Sequence, residues 1–345
     1  MSGEPAPPLR AGIIGLGFAG ETHLRCYREL AGVEPVALAG LEDERRSMLG
    51  ARYGVEDLPR EWEELVSRPD LDVISVCAPN YLHAPITIAA LASGKHVLCE
   101  KPLARTEAEA KTMVESAVQH DRVLHTSFNH RERGDVHVIR RHLADGGLGH
   151  VYYAKASWMR RRGVPNAGSW FTSHEMAGGG PLIDLGVHVL DLALHLLGEP
   201  RVLSVTAATY AELGGFEVED LATAFVRLDG GATLLLEASW ATHSRAADDF
   251  GVTLFGSRGG AEMAVHNYAT TDTVRLFTDV AGVPAEVRPQ VTAGEGHTAV
   301  IREFLAAVRS GDWSEHRGYE GLHRARVVDA CYASAVAGCE VVLSE

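Results

Sequence analysis

The stretch RAGIIGLGFAGETHLRCYREL, residues 10–30, decides the fold. Its opening apolar run reads as a buried strand. Glycines follow at Gly15, Gly17 and Gly20, and apolar residues then recur three and four apart, as on one face of a helix. The spacing G-x-G-x-x-G alone marks any tight turn. Between a strand and a helix it predicts a dinucleotide-binding turn, because the glycines let the backbone bend and approach a pyrophosphate whose charge the helix N-terminus favours. Phe18 and Ala19, inside the motif, belong to the same candidate contact.

Outward from this stretch the beat continues. Strand-like runs at 34–40, 71–79, 96–102 and 122–128 alternate with helical patterns. Two of these helices close at Gly54 and Gly94, and another opens on a capping box of Thr106 and Glu109. Alternation of this kind predicts a doubly wound parallel sheet. Near residue 130 the pattern changes. After a helix-like stretch at 134–147, strand follows strand from 150 to 265 with Gly–Gly and Asp–Gly turns, which predicts an antiparallel sheet with one covered face. Two more helices are expected at 297–311 and 319–338.

The length of 345 residues suggests two domains. A formal charge of −14, from 32 basic and 46 acidic residues, argues against a nucleic-acid surface and against adhesion to anionic lipid. A small-molecule substrate is expected. Five cysteines without a C-x-x-C pair give neither a disulfide framework nor a zinc site, which fits a reducing compartment. The Pro-rich start MSGEPAPPLR reads as a short disordered tail, and no run is read as a membrane span. The expectation is a soluble, cytoplasmic protein.

The second strand ends on Gly40, where dinucleotide sites commonly carry an acid for the ribose. Glu42 could still reach a ribose hydroxyl, and Arg45 or Arg46 a 2′-phosphate. Leu41 replaces the polar residue that NADP sites often place there. NAD and NADP both stay open with a lean to NAD, and Gly40, Glu42 and Arg45 are candidate contacts. CAPNYLH (77–83) and CEKP (99–102) lie at the carboxyl ends of expected parallel strands, where ligand crevices open. Ala78, Pro79, Asn80, His83, Glu100 and Lys101 are therefore candidate cofactor contacts. A Glu–Lys pair leaving a buried strand suggests a task, although an ordinary strand-end lysine is the plainer reading of Lys101.

DLGVHVLDLALH, residues 184–195, follows a loop GGGP (178–181) that reads as flexible. Asp184, His188, Asp191 and His195 step by four, three and four, so a regular helix puts them on one face beside Leu and Val residues. Satisfied buried polar groups would explain one of them and explain four poorly, since each unpaired group costs roughly 1–3 kcal/mol. A metal site lacks a third ligand at a known spacing, and none is expected. An acid–base pair, a carboxylate one turn from an imidazole, is the third reading, and the dinucleotide turn favours it.

Together these segments resemble the Gfo/Idh/MocA oxidoreductases over nearly the whole chain. The resemblance rests on GLGFAG (15–20), CAPNYLH (77–83), CEKPLA (99–104), DLGVHVLD (184–191) and DACYASA (329–335). It implies an α/β fold class: an N-terminal Rossmann doubly wound parallel sheet over 1–129, then a C-terminal α/β domain with a large, mostly antiparallel open sheet over 130–345, used for substrate binding and oligomerisation. It implies that Lys101 binds the reacting oxygen and that His188 is the acid–base catalyst. Asp184 would bind a neighbouring hydroxyl or orient the imidazole, and Pro79 and Glu100 would line the nicotinamide. NHRER (129–133) and MRRRGVP (159–165) look similar to a branch acting on sugars and cyclitols. There Asn129, an arginine such as Arg161, and Trp170 or Phe171 would reach the pocket. Arginines 160–162 could equally hold a cofactor phosphate or an interface carboxylate. The resemblance further implies a polyol or sugar substrate and a homodimer or homotetramer. Two other readings share the architecture: an NAD-dependent glycosidase using transient oxidation at C3, and a non-catalytic dinucleotide-binding sensor.

Overall fold

Short strands, buried along most of their length, build the first sheet. β1 (Leu9–Ile14), β2 (Val33–Ala39), β3 (Val73–Val76), β4 (His96–Glu100) and β5 (Leu124–Ser127) pair in parallel in the order β2-β1-β3-β4-β5. The order reverses between β1 and β3, and a ligand crevice opens at such a switch point, outside the carboxyl ends of the strands. The computed structural model describes residues 7–165, 168–244 and 247–343, so the first six residues of the expected tail lie outside the described residues.

The crossover helices are α1 (Phe18–Glu29), α2 (Asp43–Tyr53), α3 (Trp62–Val66), α4 (Asn80–Ala92) and α5 (Glu107–Gln119). α2 ends at Gly54 with φ of 65°, the left-handed conformation that glycine adopts without a Cβ penalty. The Thr106 side chain caps α5 by accepting the Glu109 N–H at 3.2 Å. The Glu109 carboxylate reaches back to the Arg105 N–H (3.1 Å), one residue before the position a regular capping box uses.

The chain forms two units: residues through Asn129 with His297–Ala325, and His130–Gly296 with Arg326–Glu345. The sequence reading assigns everything after 129 to a single domain; the return of 297–325 to the first unit corrects it. The cause is α9 (His297–Ser310). Its Val300, Ile301, Phe304, Leu305 and Val308 share a core with Leu24, Tyr27 and Leu38. In α10 (Tyr319–Ala337) the first seven residues belong to the first unit and the remainder to the second.

The second unit holds a nine-stranded sheet, β13-β12-β11-β10-β6-β9-β8-β7-β14. Its strands are β6 (Val151–Arg160), β7 (Val202–Tyr210), β8 (Leu221–Leu228), β9 (Thr233–Ser239), β10 (Asp248–Gly256), β11 (Gly260–His266), β12 (Val274–Val280), β13 (Val283–Val287) and β14 (Val341–Val342). All neighbours are antiparallel except β6 and β9. β12, β13 and β14 go beyond the strands expected from sequence. Alternate residues such as Ala154, Ala156, Leu234, Leu236, Val252 and Leu254 point into one core. That core also takes Leu182, Leu185, Val189, Leu192 and Leu196 from α8 (Val187–Leu196) and the turn before it. α6 (Gly134–Ala144) and α7 (His174–Ala177) complete the unit's helices named here. His174–Leu196 is, against the sequence reading, long and apolar enough to span a membrane by composition; most of it is buried inside the fold.

Candidate active site

The glycine turn comes first. Gly15 has φ of +88°, and a Cβ there would lie 2.4 Å from the Cys77 carbonyl oxygen. A Cβ on Gly20 would lie 1.9 Å from the carbonyl oxygen of Gly15. Both glycines are therefore demanded by packing. Gly17 differs: among the described residues nothing lies within 4 Å of its would-be Cβ, and it begins α1 without a side-chain cap. An uncapped helix start beside an open backbone fits a pyrophosphate. Phe18, next in sequence, is exposed.

Arg45 braces this turn. Its Nε donates to the Leu16 carbonyl (2.8 Å) and its Nη2 to Glu21 Oε2 (2.7 Å). Arg46 donates to the Gly40 carbonyl and to Asp43 Oδ1 (2.7 Å). Both guanidiniums are held by groups of the chain itself, and Leu41 beside them is exposed. Glu42 is exposed at the start of α2.

At the end of β3, Pro79 precedes the first turn of α4, so Asn80 already lies within the helix. His83 is buried between two carbonyls, Pro102 (2.7 Å from Nδ1) and Ala78 (2.8 Å from Nε2), and ties the first motif to the second. Burial holds its pKa below the ordinary imidazole value against the pull of those carbonyls.

Glu100 ends β4, and two histidines that sequence reasoning missed hold it. His23 Nε2 lies 3.0 Å from Oε1 and His297 Nε2 3.6 Å from the same oxygen, while Oε2 accepts the Lys101 N–H at 3.1 Å. Behind His23 the chain continues: its Nδ1 meets Ser75 Oγ (3.0 Å), and Ser75 meets the Tyr27 hydroxyl (2.9 Å). Complete burial raises the Tyr27 pKa, so the phenol keeps its proton. Donation then runs one way with every group satisfied: Tyr27 to Ser75, Ser75 to His23 Nδ1, His23 Nε2–H to Glu100. Burial alone would raise the Glu100 pKa; the hydrogen bonds from His23 and His297 outweigh it and hold it well below the carboxylate range. The three ligand atoms lie within 4.8 Å of one another, a donor set able to hold a cation, but a metal would take the proton position of His23 and reverse the relay. The available sequence signal was only GETH (20–23) on the buried face of α1 and GH (296–297) at the start of α9.

In the second unit, Leu182–Gly186 is a π-helical turn running directly into α8. Such turns insert a residue into the helical rhythm and are frequent at functional sites. The regular face expected for four polar residues is therefore interrupted, and the four separate into two pairs. Asp184 accepts the Trp240 indole N–H (2.9 Å), and His188 packs edge-on against His130 (4.7 Å between centroids) and beside Trp158 (5.4 Å). Asp191 is gripped by two nitrogens of Arg131 (2.8 and 2.5 Å), and His195 by Arg140 (2.9 Å). The second pair is structural.

Asn129 opens a 3-10 turn, Asn129–Glu132, at the end of the first unit. Arg161 donates from Nε to the Ser244 carbonyl (2.9 Å), whereas Arg160 pairs with Asp248 (2.9 Å), whose other oxygen accepts the Trp158 indole N–H (2.7 Å). Trp170 stacks on Phe171 at 3.8 Å within the turn Trp170–Thr172.

A parallel sheet of this order, with an open glycine turn at its switch point, is the class of fold that binds a dinucleotide. Residues 9–128 match the model described as "Oxidoreductase family, NAD-binding Rossmann fold", and 136–262 match the "GFO/IDH/MocA C-terminal domain". The chain belongs to the Gfo/Idh/MocA family, and its first unit is an NAD-binding Rossmann domain. It is similar to D-glucoside 3-dehydrogenase of Escherichia coli (strain K12), with 31% identity covering 99% of each chain. It is similar also to levoglucosan dehydrogenase of Pseudarthrobacter phenanthrenivorans, with 27% identity covering 95% of this chain and 96% of the relative. A levoglucosan dehydrogenase structure in complex with NADH superposes with a TM-score of 0.88 at 25% identity, covering 98% of this chain and 100% of that one.

Proposed function

We propose that this enzyme oxidises a ring carbinol of a sugar or cyclitol, or reduces the matching ketone, with NAD as partner. NAD, when bound, would supply the hydride acceptor for the oxidation, and NADH the hydride donor for the reverse reduction, in which His188 returns the proton. His188 takes the hydroxyl proton on an imidazole nitrogen, and Lys101 holds the same oxygen through its ammonium and offsets the charge that develops there. Asp184, anchored by the Trp240 indole, binds a neighbouring hydroxyl or orients His188. Rings of His130 and Trp158 beside His188 keep water away from it. The carrying observation is the division of one helix's polar groups: Asp191 and His195 are bound by arginines, while the π turn and the residues after it present Asp184 and His188.

The names of the relatives, a glucoside 3-dehydrogenase and a levoglucosan dehydrogenase, favour pyranose rings over open-chain polyols. With Arg45 and Arg46 already held, the ribose side favours NAD over NADP. The reading includes a homodimer or homotetramer, which light scattering tests.

The test is NADH absorbance with a panel of D-glucosides, levoglucosan and cyclitols. Lys101→Ala and His188→Ala are expected to lower turnover by about 10²–10⁴ while NAD affinity stays nearly intact. Wild-type turnover in either variant would remove that residue's role. A glucoside cleaved with no net NADH would transfer the site to the glycosidase reading, which the C3 chemistry in the first relative's name keeps in play.

A further inference from the structure

Glu219 is a buried acid that the proposed chemistry leaves unused, 8% exposed two residues before β8. Three donors converge on it. The Gly180 N–H reaches Oε2 (2.9 Å), and the Leu182 N–H (3.1 Å) and Tyr332 hydroxyl (2.9 Å) both reach Oε1. The loop GGGP, expected to be flexible, is close-packed against this pair. A Cβ on Gly179 would lie 2.0 Å from the Tyr332 hydroxyl, and one on Gly180 would lie 2.1 Å from the Glu219 carbonyl oxygen. Pro181, between the two amides, has no N–H to place.

The clamped segment leads directly to the candidate catalytic groups. The Asp184 N–H bonds the Gly180 carbonyl (3.1 Å), and the Asp184 carboxylate takes the Trp240 indole. Trp240 in turn donates its backbone N–H to the carbonyl of Asp220, next in chain to Glu219 (3.2 Å). Asp184 is thus held from both sides by one corner, where residues 219–220 meet the end of β9.

We infer that Glu219 is a positioning residue: its carboxylate fixes the π-helical turn and thereby the placement of Asp184 and His188. The inference rests on the reading that gives those two residues the chemistry. A carboxylate is required because each oxygen faces a backbone N–H; an amide would turn its own NH₂ toward one of them. Tyr332 stays a donor, since burial, followed by the Glu219 charge, raises its pKa well above the ordinary phenol value.

Glu219→Gln and Tyr332→Phe in the full chain test this. Three quantities are read: turnover on the best sugar, NAD affinity, and the indole ¹H–¹⁵N resonance of Trp240, assigned with Trp240→Phe. Glu219→Gln is expected to lower kcat about tenfold or more with NAD affinity unchanged, because small misplacements of reacting groups cost that much. It is also expected to shift the Trp240 resonance. Tyr332→Phe, which removes one donor of three, should give a smaller loss and a smaller shift. Wild-type kcat with an unmoved resonance in Glu219→Gln, even with a lowered melting temperature, overturns the inference. Should that variant not fold, the same two readouts in Tyr332→Phe decide. If His188→Ala keeps its turnover, the catalytic reading fails on its own, and the Trp240 shift still reports whether Glu219 sets the turn.

Discussion

Two glycine-rich turns each open a helix, and they use their glycines in opposite ways. At Gly15–Gly20 the outer glycines are packed and the middle one faces open space, leaving the first amides of α1 without a side-chain cap. At Gly179–Pro181 the space is filled, and Glu219 takes the amides of Gly180 and Leu182 from inside the fold. The first start is kept for an anion from outside; the second is closed so that its side chains stand still. A string of glycines does not distinguish the two. The residue facing the amides does.

If the second helix is fixed by the chain's own charges, the largest effect comes from its far end. Asp191 is 1% exposed and gripped by Arg131, and removing one partner of a buried pair typically costs 3–5 kcal/mol. Arg131→Ala should lower the urea midpoint accordingly with no change in NAD affinity; an unmoved midpoint would make that end of the helix less fixed than the contrast requires. Next comes the direct swap of one methyl between the two turns. Gly180→Ala forces a Cβ against the Glu219 carbonyl and should cost about 3 kcal/mol as overpacking. Gly17→Ala meets nothing within 4 Å, so it should cost no more than about 1 kcal/mol as a changed helix cap. It should instead weaken NAD binding about tenfold, because the pyrophosphate needs that approach. Calorimetry on the pair separates the outcomes, and equal stability losses would erase the distinction.

Much of this was legible in the sequence, for a physical reason. Central strands of the parallel sheet are buried on both faces and read as largely apolar runs, so β1, β3 and β4 stand out one by one. The glycine turn was legible because strand and helix flank it. Three features were not. An amphipathic helix such as α9 announces an apolar face but not the core that receives it. A π turn has the same residues as an α turn, and spacing alone placed Asp184, His188, Asp191 and His195 on one face. Single histidines on buried faces, His23 and His297, look like ordinary core residues until the fold carries Glu100 between them.

The smallest effect is also the most discriminating, because the two buried glutamates titrate in opposite directions. Glu100 is depressed despite its burial, since two imidazoles hold the charged form. Its contribution to stability is full above the ordinary carboxylate pKa and is lost as pH falls through its lowered folded value. Glu219 is raised, because burial outweighs the Gly180 and Leu182 amides and the Tyr332 hydroxyl. For it the folded state binds the proton more tightly than the unfolded chain does, so its contribution is full below the ordinary value and is lost as pH rises through the folded one. Urea midpoints of the parent, Glu100→Gln and Glu219→Gln across acid to neutral pH should show this. The gap between parent and Glu219→Gln should narrow as pH rises above the ordinary carboxylate range, where the gap for Glu100→Gln stays flat. Below that range the Glu100 gap should close. Each pKa unit between folded and unfolded states is worth about 1.4 kcal/mol, within reach of such melts. Parallel slopes for the two variants would mean that two backbone amides and a phenol hold a buried charge as well as imidazoles do, and the Glu219 corner would then be no less secure in its ionised form than the Glu100 site.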